Sequence, residues 1–122
     1  MTDIGRNKQT VARVFDAIRS GDVDGFDEFI VEDYVQHNPQ AENGLRAVKD
    51  FFANIGPVDV EVYRVIAEGE FVTAHSHYKT FNMAGADIWR LNEDGKLIEH
   101  WDVLQELPAA TASGNDMFSQ VT

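Results

Sequence analysis

A chain of 122 residues with 43% hydrophobic and 11% aromatic content is long enough for one domain with a real core, and too short for two. Acidic residues outnumber basic ones by 21 to 10, and the resulting net charge of −11 has the wrong sign for a nucleic-acid backbone or an anionic membrane surface; it serves solubility. Zero cysteines exclude disulfides, thiol catalysis and thiolate metal sites. No run approaches the roughly 18 apolar residues of a membrane span, and MTDIGRNKQT lacks the apolar segment of a secretory signal, so the cytoplasm is the expected compartment.

Val11, Val14, Phe15 and Ile18 recur at the spacing of a helical apolar stripe, which predicts a first helix over about residues 4–20 with Gly21 as its stop. Asp22 then caps a second, short helix with Val23, Phe26, Phe29 and Ile30 on its buried side, ending near Val31. In EDYVQHNPQ, Pro39 biases Asn38 towards an extended conformation, so this segment reads as an ordered turn or loop. A third helix fits Gly44 to Ile55, with Leu45, Val48, Phe51, Phe52 and Ile55 facing inward and Gly56-Pro57 ending it.

The period then changes from helical to alternating. Val58, Val60 and Val62 alternate with Asp59, Glu61 and Tyr63, the mark of a half-buried strand. Glu68-Gly69, Ala84-Gly85 and Asp94-Gly95 read as tight connections to three further strands, so antiparallel hairpins are expected. Helices first and hairpins afterwards predict an α+β domain with the helices packed on one face of a curved antiparallel sheet. This covers residues 1–106; the tail 107–122 reads as irregular, with Met117 and Phe118 as its candidate anchors.

The region from Glu70 to Glu106 concentrates the chemistry. It holds His75, His77 and His100 of the four histidines, both tryptophans, Asp87 and Asp102. Alternation puts His75 and His77 on one face of their strand, and His100 and Asp102 on one face with Ile98 and Leu104, leaving Leu97, Trp101 and Val103 on the other. Ionisable groups between apolar neighbours suggest a dry, concave site.

YVQHNP at 34–39, HSHYK at 75–79, ADIWRLNEDGKLIEHWDVLQ at 86–105 and the NDMF near the end together resemble SnoaL-like proteins of the nuclear transport factor 2-like superfamily. The resemblance spans nearly the whole chain, with DGKLIEHWDVLQ its most specific part. It implies a cone-shaped α+β fold, three helices enclosing a pocket against a curved sheet, usually as a dimer. The superfamily includes polyketide cyclases that catalyse an intramolecular aldol step, ketosteroid isomerase, limonene epoxide hydrolase, scytalone dehydratase and noncatalytic binding modules, so fold does not settle function. Asp102 is similar in place to the acid/base aspartate of the cyclases. His75 and His77 occupy a place similar to a water-binding polar pair of the epoxide hydrolase but are not its arginine and aspartate, which argues against that mechanism. Tyr34, His37 and Asn38 match pocket-lining positions.

Removing a proton next to a carbonyl requires a base and a donor for the oxygen that gains charge. Asp102 is the candidate base, with His37, His77 or Tyr34 as donor. The bland alternatives are a structural ion pair of Asp102 with His100 or an arginine, and a His37 that merely satisfies loop backbone groups. Trp89, Phe81 and Tyr78 offer flat walls for an apolar ligand, although strand parity does not put all three on one wall. Asn38, His75, Asp87 and His100 complete the expected substrate contacts, with Asp87 either facing the cavity beside Trp89 or serving the sheet surface. Trp101 reads as packing or as a dimer interface.

Gly69 and His75-Ser76-His77 match the opening of the cupin metal motif, a minor alternative in which His-x-His supplies two metal ligands. Phe81 and Asn82 stand where that motif needs a glutamate, and three preceding helices disagree with an all-β fold, so no metal and no cofactor is expected. There is no Gly-x-Ser-x-Gly, P-loop or dinucleotide fingerprint. The expected function is cofactor-independent acid/base catalysis on a carbonyl or polyketide-like small molecule: aldol condensation, isomerisation or dehydration. A noncatalytic small-molecule-binding or assembly domain is the competing class. Both faces of KLIEHWDVL are apolar, so a homodimer is expected to cover the face turned away from the pocket.

Overall fold

A computed structural model describes residues 2–121. Asp3 caps helix α1 (Ile4–Ser20) by accepting the Arg6 backbone N–H at 2.9 Å, and Gly21, at φ 74°, carries the chain out through the left-handed region that favours glycine. Val11, Val14, Phe15 and Ile18 are buried, as the stripe predicts. Asp22 caps the next segment by accepting the Gly25 N–H at 3.1 Å, but that segment is a 3-10 turn over Val23–Glu28 rather than a helix reaching Val31.

Ile30 instead begins a strand, β1 (Ile30–Gln36), through the stretch the sequence reading treated as a helix end and loop. Its β-branched Ile30, Val31 and Val35 favour extended backbone. The partner that makes it a strand lies far along the chain. Helix α2 (Leu45–Ile55) follows, then β2 (Val60–Glu68), β3 (Phe71–Tyr78), β4 (Met83–Leu91) and β5 (Leu97–Glu106). The sheet order is β1-β5-β4-β3-β2, antiparallel throughout except that β1 runs parallel to β5. The α+β architecture stands, with helical segments over one face of an open, curved sheet, and the sheet is mixed because of this fifth strand.

Two of the expected connections are hairpin turns, at Gly69 between β2 and β3 and at Gly95 between β4 and β5. Ala84-Gly85 is not a turn. Both residues lie inside β4, and the chain reverses earlier, through a 3-10 turn at Lys79–Phe81 and Asn82 at φ 56°. Gly85 is required by packing: a Cβ there would stand 2.6 Å from Tyr78 Cε2 and 2.9 Å from Cδ2, so one edge of the Tyr78 ring occupies the space a side chain would need.

The β4–β5 register breaks where Arg90 pairs with Glu99 and Leu91 with Leu97, leaving Ile98 as the extra residue of a bulge. The bulge inverts the expected parity: Leu97, fully buried in the core, joins the side of His100 rather than that of Trp101 and Val103. The core sits between α1 and the concave face, around Phe15, Phe26, Val72, Leu91 and Leu97. On the convex face the tail is anchored by Phe118, whose carbonyl accepts Arg64 Nη2 at 2.7 Å, while Asp116 accepts the Phe118 and Ser119 N–H groups. Among the described residues, no helix is long and apolar enough to cross a membrane.

Candidate active site

Between the helices and the concave face lies a cavity of about 360 Å³, within the roughly 300–1,000 Å³ typical of small-molecule sites. Val14 and Ile18 of α1, Phe26, and Val48, Phe51 and Phe52 of α2 make its apolar wall. That duty explains why α2 has no fully buried residue. Polar groups converge on the sheet side, where Tyr34, Gln36 and Asn38 meet Tyr78, Asp87, Trp89, His100 and Asp102. Alternation places each of them: Tyr34, Gln36 and Asn38 are two apart along β1 and its extension, Asp87 and Trp89 two apart on β4, His100 and Asp102 two apart on β5. Phe81, in the 3-10 turn, escapes strand parity and lines the cavity together with Tyr78 and Trp89.

The polar groups form two linked sets. Asp87 and Asp102 are cross-strand partners, as are Trp89 and His100. His100 Nε2 lies 2.8 Å from Asp87 Oδ1 and 3.9 Å from Asp102 Oδ2. The Tyr78 hydroxyl donates to the other Asp87 oxygen, and Asn38 Nδ2 donates to both Asp102 oxygens, at 2.9 and 3.0 Å. Trp89 Nε1 donates to the Tyr34 hydroxyl at 3.0 Å, and the Tyr34 proton itself has no acceptor among the described residues. Burial pushes the Tyr34 phenol well above its ordinary pKa; the Trp89 hydrogen bond opposes this, and nearby Asp87 and Asp102 reinforce it. Burial, then the Asp87 charge, raises Tyr78 likewise. Both phenols therefore remain proton donors across the physiological range.

Three of the expected histidines lie elsewhere. His37 follows Gln36, so alternation turns it to the convex face, where Nε2 is 2.7 Å from Glu99 Oε2 and the ring stacks on Trp101 at 4.8 Å between centroids. His75 and His77 do share a face, as expected, but it is the convex one: Ser76 and Tyr78 take the inner positions. His77 stacks on Phe118 at 4.7 Å, and His75 Nδ1 accepts from the Arg64 guanidinium. The assignments of His37 and His77 as oxygen donors and of His75 as a ligand contact are corrected on this ground. Their removal leaves His100 alone among the four histidines at the cavity. Alternation already carried the signal, because Val72 and Ala74 are the apolar partners of Ser76 and Tyr78. Gln36 was missed because β1 was not read as a strand.

The His-x-His metal reading falls with the same finding, since no carboxylate joins His75 and His77 in a cluster among the described residues. The donor atoms of Asp87, His100 and Asp102 do lie within 4.8 Å of one another. All three side chains are also hydrogen-bonded within the protein, Asp87 to Tyr78 and His100 and Asp102 to Asn38, and each carboxylate keeps further lone pairs.

Helical segments over one face of a curved mixed sheet, with a cavity between them, define the fold class of the chain. The family model for the SnoaL-like domain matches residues 11–100, and the chain belongs to that family. Comparison with curated proteins finds no match. Among solved structures, an NTF-2 like protein of unknown function from Burkholderia xenovorans LB400 is 14% identical with a TM-score of 0.77, covering 97% of each chain. An LEH-like epoxide hydrolase from M. tuberculosis is 15% identical with a TM-score of 0.70, over 85% of this chain and 86% of that one. A steroid delta-isomerase from Pseudomonas aeruginosa is 20% identical with a TM-score of 0.64, over 89% and 82%. At these identities the likeness is one of fold.

Proposed function

We propose that the cavity performs cofactor-independent acid/base chemistry on a small, uncharged carbonyl or polyketide-like compound, as an aldol condensation, an isomerisation or a dehydration. One observation carries the reading: Asp102 presents a carboxylate to a largely apolar cavity on the same wall as the Tyr34 hydroxyl, whose proton is uncommitted. Asp102 takes a proton from the carbon beside the carbonyl, and the C–H electron pair moves through that carbon to the oxygen. Tyr34, one of the three donors expected from the sequence beside His37 and His77, donates to the resulting enolate oxygen. Asn38 holds the carboxylate in place. The lining includes Glu42, Asp87 and Asp102 but no lysine or arginine among the described residues, which disfavours an anionic substrate. The fold's use by an epoxide hydrolase and a steroid delta-isomerase supports enzymatic chemistry at the level of architecture alone.

Solvent deuterium exchange tests this without knowledge of the full reaction. Incubated in D₂O with a panel of small ketones, the wild-type protein is expected to exchange the protons beside the carbonyl, and Asp102→Asn to lose that rate by roughly 10²- to 10⁴-fold while keeping its fold and ligand affinity. The competing reading, a noncatalytic binding domain, requires saturable binding with no exchange by the wild type. The same proposal includes a homodimer. Ile66, Phe71, Ile88 and Val103, between 39% and 73% exposed, share the convex face, and a second copy covers them; sedimentation of a monomer at micromolar concentration would contradict it.

A further inference from the structure

His100 Nδ1 lies 2.7 Å from Gln36 Oε1, and the same oxygen accepts the Asn38 backbone N–H at 3.1 Å. A backbone N–H only donates, so the Gln36 atom facing both groups is the oxygen, and the amide's orientation is fixed. An oxygen acceptor opposite Nδ1 requires Nδ1 to carry hydrogen. The other ring nitrogen, Nε2, faces Asp87 Oδ1 at 2.8 Å. In a neutral ring protonated at Nδ1, Nε2 presents a lone pair, and a bare carboxylate oxygen opposite it would repel. With His100 7% and Asp87 3% exposed, no bulk water relieves that repulsion. One proton therefore occupies the His100–Asp87 contact, on the ring or on the carboxyl group. Tyr78, donating to the other Asp87 oxygen, leaves that contact as the proton's place.

We propose that Gln36 is a positioning residue: by accepting from His100 Nδ1 it loads the His100–Asp87 pair with one transferable proton, making that pair the acid that complements Asp102. This rests on the acid/base reading of the cavity and deepens it. Asp102 takes a proton from the substrate carbon, whose C–H electron pair becomes the enolate. The His100–Asp87 pair gives its proton to the atom that gains negative charge, leaving neutral His100 and ionised Asp87. One proton leaves the substrate and one arrives. Asp102 Oδ2 and His100 Nε2, 3.9 Å apart, are beyond direct hydrogen-bond reach, so the pair is reloaded through water that enters the cavity once product leaves: Asp102 gives up one proton and the pair takes up one.

The test reads the ring itself and uses no substrate. Two-bond ¹H–¹⁵N correlation spectra of histidine-labelled protein at neutral pH distinguish the ring states, with His100 assigned by elimination from the single variants His37→Gln, His75→Gln and His77→Gln. The expected wild-type signal is a His100 protonated at Nδ1, either as the neutral Nδ1–H form or as imidazolium. Gln36→Leu is expected to shift it to the neutral Nε2–H form, donating to an ionised Asp87, and Gln36→Glu to restore Nδ1–H. A wild-type His100 in the neutral Nε2–H form overturns the proposal, and so does a Gln36→Leu spectrum identical to wild type. Should Gln36→Leu not fold, the wild-type and Gln36→Glu spectra decide, since the proposal requires Nδ1–H in both. Absence of exchange activity would overturn the Asp102 reading while leaving the His100 spectrum as measured.

Discussion

Asp87 and Asp102 stand directly opposite each other across the β4–β5 ladder, yet only Asp87 is within hydrogen-bond reach of His100. Like charges so placed repel. The site separates their environments: Tyr78 and His100 engage Asp87, whereas among the described residues Asn38 is the hydrogen-bond donor to Asp102. Two carboxylates with different partners suit two different roles.

Tyr34→Phe keeps the ring and removes only the hydroxyl. Exchange is expected to fall by roughly 10²- to 10³-fold, the cost of one donor at a developing oxyanion. The buried Trp89 Nε1–H loses its acceptor as well, which costs about 1–3 kcal/mol of stability in urea unfolding. Adding Trp89→Phe is expected to recover part of the hydrogen-bond loss, because the orphaned donor is then gone. A Tyr34→Phe protein with full exchange would remove Tyr34 from the proposed chemistry.

Gly85→Ala places a methyl group inside the Tyr78 ring's space, 2.6 Å from Cε2. The ring must move, and the Tyr78–Asp87 hydrogen bond moves with it. A loss of about 1–3 kcal/mol is expected in chemical denaturation, the range for overpacking. Tyr78→Phe, which leaves the ring seated, separates the two effects: it removes the hydrogen bond without the clash.

Acid stability depends in part on Glu99. The His37 imidazole first, then the Arg90 guanidinium, hold its carboxyl group below the usual glutamate value of about 4.3. A depressed folded-state value stabilises the fold above the unfolded value, and that contribution is lost as pH falls through the folded one. Glu99→Gln is therefore expected to flatten the acid limb of the urea-midpoint curve below about pH 4.3, and added salt to shrink the difference. Parallel acid limbs for the two proteins would count against this.

His77 is a tail anchor on the convex face. His77→Ala is expected to leave exchange unchanged and to cost about 1 kcal/mol, the worth of an aromatic pair, while exposing the chain around Phe118 to protease. Lost exchange with an intact, protected tail would return His77 to the catalytic list.

Local signals determined what local physics controls. The spacing of Val11, Val14, Phe15 and Ile18, the Asp22 cap and the glycines at 21, 69 and 95 act within a few residues, and each helix limit or turn they mark is present, with the second helical segment tightened to a 3-10 turn. The resemblance carried by the β5 segment supplied the family, and alternation put Asp102 beside His100. Only the tertiary structure decided that Ile30–Gln36 is a strand, because its partner β5 lies more than sixty residues on and no local window contains both. That pairing directs Gln36 inward and His37 outward. Parity within a strand says which residues travel together but not which face becomes concave, and one bulge at Ile98 reverses it for everything before. Imidazoles read as a cluster in the sequence were therefore parted by the sheet's two faces, leaving His100 between two carboxylates.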